Sequence, residues 1–112
     1  MAVVRISPSE LKADLRNAES SIRALVVEAD EVEQERLNAK ANAVSAGARR
    51  LDIELEKNHE KADTAYCSTI EHFVQECEFA ENAVHGDKYH QARLLGKSEG
   101  CSLVLEYVRR SR

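Results

Sequence analysis

SPSELKADLRNAESSIRALVVEADEV, residues 7–32, is the stretch whose reading decides the fold class. It opens on Ser7-Pro8-Ser9-Glu10. Ser7 can accept from the free N–H groups of a first helical turn, Pro8 suits the first helical position, and Glu10 completes a capping box. A helix is predicted to start at Pro8. Beyond it Leu11, Leu15, Ala18, Ile22, Leu25, Ala29 and Val32 recur at alternating steps of four and three. That is the seam of a helix packed lengthwise on another. The next strong position is Leu37, after a step of five, and the seam then resumes through Ala41, Val44, Ala48, Leu51 and Leu55. Such a slip turns the apolar stripe around the helix.

Upstream, the β-branched run through Val3, Val4 and Ile6 reads as a short extended arm. Downstream, Ser45-Ala46-Gly47 is the turn predicted to end the first helix, because glycine is common just past a helix end. Glu56-Lys57-Asn58-His59 is a second candidate break. Leu51-Asp52-Ile53-Glu54-Leu55-Glu56 alternates as a half-buried strand would, but its leucines also sit on the helical seam, which favours helix. From Lys61 the helical pattern returns through Ala62, Tyr66, Ile70, Phe73, Cys77, Ala80 and Val84. His85-Gly86-Asp87 reads as a turn, with Asp87 capping a last helix whose basic end complements the helix dipole.

The expected architecture is therefore all-α and one domain over 1–112. It comprises an extended arm (1–7) and helices over 8–45, 48–85 and 88–110. The first two helices would each run about 57 Å at 1.5 Å per residue. They would form a long antiparallel hairpin with the shorter third helix beside it, a three-helix bundle of coiled-coil character.

Composition agrees with helices and excludes other classes. The 112 residues include 4 Gly and 1 Pro, too few for the turns of a β-sandwich or barrel. No run approaches the ~18 apolar residues of a membrane span, and no signal-peptide pattern opens the chain. Leu, Ile, Val and Phe number 10, 4, 10 and 2, and 15 alanines supply much of the remaining apolar surface. Long slim helices with so little bulk bury little alone, so the expectation is a protein partner or a homodimer that covers the remaining stripe.

Several constellations bear on function. Ala92, Gly96 and Gly100 give the last helix a smooth face for tight packing, within the fold or between subunits, with Tyr107 on the same helix near its apolar side. Glu28, Asp30, Glu31, Glu33 and Glu35 form an acidic run, a solvated face or a surface for a basic partner. His85, His90 and Glu81 are the candidate metal ligands, but no Cys-x-x-Cys or His-Glu-x-x-His accompanies them. Glu56-x-x-His59 lacks the second arm that a carboxylate di-iron site needs. Cys67, Cys77 and Cys101 are an odd set without secreted-type spacing and suit a reducing, cytoplasmic setting. No phosphate loop, nucleophile elbow or nucleotide fingerprint appears. Basic residues cluster only at Arg109, Arg110 and Arg112, without aromatic platforms, which argues against nucleic-acid binding.

Ile6-Ser7-Pro8-Ser9-Glu10-Leu11 and the mid-chain Ser45-Ala46-Gly47 resemble the small helical-hairpin substrates of type VII secretion (the WXG100 family). The resemblance implies a secreted two-helix hairpin turning at 45–47. The chain has no tryptophan for the family's Trp-x-Gly turn, and the helix after Gly86 lies outside the two-helix pattern. The residues themselves predict a non-catalytic helical interaction module (an adaptor, regulator or inhibitor) with no cofactor, no nucleic acid and no membrane among its partners. A small helical metal or redox protein is the second reading.

Overall fold

A computed structural model describes residues 4–83 and 86–112. Four helices, not three, account for the described residues: α1 (Pro8–Val26), α2 (Glu31–Lys57), α3 (Ala62–Asn82) and α4 (Lys88–Ser111). The Ser7 hydroxyl accepts from the Glu10 N–H at 3.3 Å with Pro8 in the first turn, so α1 begins where the capping box places it.

The break expected at 45–47 is corrected, whereas the second candidate, Glu56-Lys57-Asn58-His59, is where α2 ends. Helix 8–45 does not exist as one element, because the chain turns at residues 27–30. The cause is Asp30. Its carboxylate accepts from the Glu33 N–H at 2.8 Å, and the Gln34 side chain donates back to the Ala29 carbonyl at 3.0 Å. Asp30 is thus the N-cap of α2, with Glu31 and Glu33 in its first turn, where carboxylates meet the positive end of the helix dipole. Asp30-x-x-Glu33 was a legible capping signal that reads, at first sight, as part of an acidic run. Asp30→Ala is expected to cost about 1 kcal/mol in urea denaturation. A variant as stable as the parent would show that the turn is held by something else.

Ser45-Ala46-Gly47, in turn, is not a turn but the middle of α2, and the hairpin implied by the secretion-substrate resemblance does not form there. Gly47 is needed for close approach. A Cβ on it would lie 2.6 Å from Val104 Cγ2 of α4. Ser45 is buried, its hydroxyl accepting from Arg16 at 2.9 Å and Arg49 at 3.0 Å. Accordingly, the single helix expected over 48–85 is two helices, separated at residues 58–61. The break uses no glycine. Asn58 donates its N–H and its side-chain amide to the Glu54 carbonyl, and His59 and Glu60 both take positive φ, 54° and 64°. Residues 51–56 are helical throughout. Gly86, at φ 137°, adopts a conformation that other residues rarely accept, and Asp87 caps α4 by accepting from the His90 N–H at 2.9 Å. The last helix runs one residue past its expected end, to Ser111.

The helices alternate in direction. Lys12–Asp52, Arg16–Ser45 and Arg23–Asn42 contacts run α1 antiparallel to α2, and Lys97–Glu76 with Arg112–Asp63 runs α3 antiparallel to α4. The closest pair, however, is α2 with α4, and it is parallel, as Arg36–Glu99, Glu35–Arg93 and Glu31–Tyr89 show. Around this spine, α1 packs mainly on α2 and α3 mainly on α4. The core is built from Leu11, Leu15, Val44, Leu51, Tyr66 and Val104, all nearly inaccessible to solvent. Of the extended arm expected over 1–7, residues 1–3 lie outside the described residues; residues 4–7 are described, bend at Arg5 and Ile6, and are tied down at the far end of the spine. Arg5 and Ile6 N–H groups donate to the Ser111 carbonyl at 2.9 and 3.1 Å, and the Tyr66 hydroxyl donates to the Ile6 carbonyl at 2.6 Å.

Candidate functional site

The small residues expected on the last helix face α2. A Cβ on Gly96 would overlap the Arg36 carbonyl oxygen and stand 2.8 Å from its carbon; one on Gly100 would stand 2.5 Å from the Lys40 carbonyl oxygen. Ala92 is buried beside them. The face that could have served a second subunit is consumed inside the fold. Tyr107 is partly buried against the core, with the Arg110 guanidinium 4.8 Å from its ring centroid.

The acidic run divides into two groups. Glu33 pairs with Arg36, which also reaches Glu99 at 2.6 Å, and both carboxylates raise the Arg36 pKa, Glu33 the more strongly. Glu35 takes Arg93 at 3.3 Å. These residues bind α2 to itself and to α4. Glu28, Asp30 and Glu31 remain exposed at the α1–α2 elbow, Glu31 accepting from the Tyr89 hydroxyl at 3.1 Å. The elbow also carries the most exposed large apolar residue among those described, Val27 at 82%, with Leu25 at 62% and exposed Ala24 alongside. The sequence places Leu25 on the core seam. The break at 27–30 ends α1 before that seam can be covered there, so Leu25 is left in solvent.

A concavity of about 420 Å³ opens between α2 and α3 with α4 as its floor. Ala39, Ala43 and Ala46 form one wall, Phe73 the other, and Leu94 and Cys101 the floor. Its polar groups are Asn42, His72, Glu76, His90, Arg93 and Lys97. Lys97 reaches Glu76 at 2.9 Å and His72 approaches the same carboxyl at 3.6 Å. The Lys97 ammonium holds the Glu76 carboxyl below the usual carboxylate range, against the opposing effect of burial. Periodicity does not reveal this cleft, since it depends on how far α3 stands from α2.

No group of three potential ligands among His, Cys, Asp and Glu comes together among the described residues. His85 lies outside the described residues. His90 lines the cleft, and Glu81 is exposed, accepting from the Cys77 thiol at 3.5 Å. The three cysteines are free thiols. Burial pushes the Cys101 thiol up to about 11, with Cys77 adding to the shift, so Cys101 is protonated near neutrality and a poor nucleophile. No described helix is long and apolar enough to cross a membrane. No family model, curated protein or solved structure matches the chain.

Proposed function

We propose that this chain is a non-catalytic helical interaction module, an adaptor, regulator or inhibitor, that docks a basic protein surface on its α1–α2 elbow. One observation carries the reading: Val27 and Leu25 stand in solvent beside the carboxylates of Glu28, Asp30 and Glu31. An apolar tip rimmed by charge has the make-up of a contact surface, the apolar side chains supplying affinity and the carboxylates steering and selecting the partner. The same carboxylates repel phosphates, which disfavours nucleic acids and anionic membranes as partners. Apart from its end at Leu25, much of the stripe that gave reason to expect a dimer packs into the core within the chain. Two elbows face to face would also set like charges together, so a different, basic protein fits better than a second copy. Three free thiols suit the cytoplasmic setting this role implies.

The test is a Leu25→Ser/Val27→Ser double variant. Both side chains are exposed, so its stability is expected to stay within about 0.5 kcal/mol of the parent. A basic protein captured by the parent from extracts of the native host is expected to be lost by the variant and weakened by salt. Equal capture by both, or a parent that captures nothing and is monomeric by light scattering, would remove the proposal.

A further inference from the structure

We infer that the cleft between α2, α3 and α4 is a binding site for a small apolar molecule carrying one anionic head group, a carboxylate or sulfonate on an aliphatic or aromatic body. The inference goes beyond the elbow reading and stands without it. Size is the first ground. A volume of about 420 Å³ lies in the range of small-molecule pockets, roughly 300–1,000 Å³. A partner helix, with side chains about 10 Å across, needs a longer and wider trough.

The lining is the second ground. Ala46 and Phe73 face each other over an apolar floor, a surface that takes a hydrocarbon or aromatic body and gains by removing it from water. The third ground is the inventory of donors. Glu76 is the one carboxylate among the described residues that line the cleft, and it already stands between Lys97 and His72. Lys97 uses one of its three N–H groups on Glu76, and Arg93 uses one of its five on Glu35, which does not line the cleft. The remaining donors of Lys97 and Arg93, with the imidazole of His90, have no acceptor among the described residues that line the cleft, and His72 has only its 3.6 Å approach to Glu76. A head group that only accepts hydrogen bonds and carries negative charge complements them.

The probe is 8-anilinonaphthalene-1-sulfonate, an aromatic body with one sulfonate, followed by fluorescence on the whole chain. The neutral counterpart N-phenyl-1-naphthylamine reports the apolar contribution alone. Saturable binding at one site is expected, with displacement by decanoate or by 1-naphthoate identifying an aliphatic or an aromatic body. Lys97→Gln is expected to weaken the sulfonate probe about tenfold while changing the neutral one by less than about twofold. Ala46→Phe, which fills the cleft, is expected to abolish both. Should that variant fail to fold, methyl NMR on the parent replaces it, with probe-induced shifts expected at Ala39, Ala43 and Ala46. Non-saturable binding, displacement by neither acid, equal loss of both probes in Lys97→Gln, or shifts confined to other methyls would each overturn the inference.

Discussion

Gly96→Ala is expected to destabilise the protein by about 3 kcal/mol or more, although the same change in an exposed helix would stabilise it by about 1 kcal/mol. The conflict is between backbone entropy and space, and space wins here because the obstacle is backbone. A methyl group at Gly96 meets the Arg36 carbonyl, and one at Gly100 meets the Lys40 carbonyl and the Ala43 methyl. Neither carbonyl can rotate away without breaking its own bond within α2, so the two helices of the spine must separate along their length. Separation would loosen the packing of Val104 against Gly47 of α2 as well. Gly100→Ala should therefore match Gly96→Ala.

Gly47→Ala provides the internal control. Its methyl would meet the Val104 side chain and no backbone, but that buried valine is β-branched and held to one rotamer in its helix, so Gly47→Ala is expected to cost about 1–3 kcal/mol, less than Gly96→Ala. Urea denaturation of the three variants measures this directly. For a domain of this size, each kcal/mol also appears as about 4–8 °C in Tm. If Gly96→Ala were neutral or stabilising, the close approach of α2 and α4 would be wrong.

Tyr66→Ala is expected to cost about 3–5 kcal/mol, the range for emptying a buried aromatic site. Tyr66 is fully buried and joins three parts of the chain: the core, α3 and the segment before α1 through its hydrogen bond to Ile6. Tyr66→Phe isolates that hydrogen bond and is expected to cost about 1–2 kcal/mol, since the Ile6 carbonyl is left without its donor. The phenol also carries a pH signature. Burial, and secondarily Glu10, pushes its pKa up from about 10 to about 12. The folded state thus holds the phenolic proton more tightly than the unfolded state does. The stability linked to this proton is fully present below pH 10 and is lost as pH rises from 10 to 12. Melting temperatures of the parent should fall more steeply than those of Tyr66→Phe across that window. Parallel profiles would show that Tyr66 ionises as freely as an exposed tyrosine.

How much of this was legible can be judged residue by residue. The start of α1 is written locally, in Ser7, Pro8 and Glu10, because a cap needs only neighbours in sequence. The turn at Gly86 and the cap at Asp87 are legible for the same reason. Asp30 carried an equally local cap signal, but it stands among four other carboxylates and beside an unbroken apolar seam, and both distract from it. The end of α2 could not be read from glycine, because His59 and Glu60 make the left-handed turn after Asn58 without one. Gly47 misled in the opposite direction. A glycine that ends a helix and one that admits a neighbouring side chain look alike until the neighbour is known.

The candidate sites divide in the same way. That Ala92, Gly96 and Gly100 form a face follows from spacing alone, whereas which helix meets that face does not. Exposure of Leu25 contradicts its place on the seam, since the elbow withdraws the partner surface that the seam would need.

The sequence by itself determined the helical class, the capped starts of the first and last helices, and which faces are apolar or small. These properties depend on residues within a turn or two of each other, where hydrogen bonds and side-chain spacing act without help from the rest of the chain. Tertiary structure decided that the described residues form four helices, that α2 and α4 form their parallel spine, and that an elbow and a cleft are left open. These depend on how residues distant in sequence share space: Arg36 with Gly96, Gly47 with Val104, and Ala46 across from Phe73.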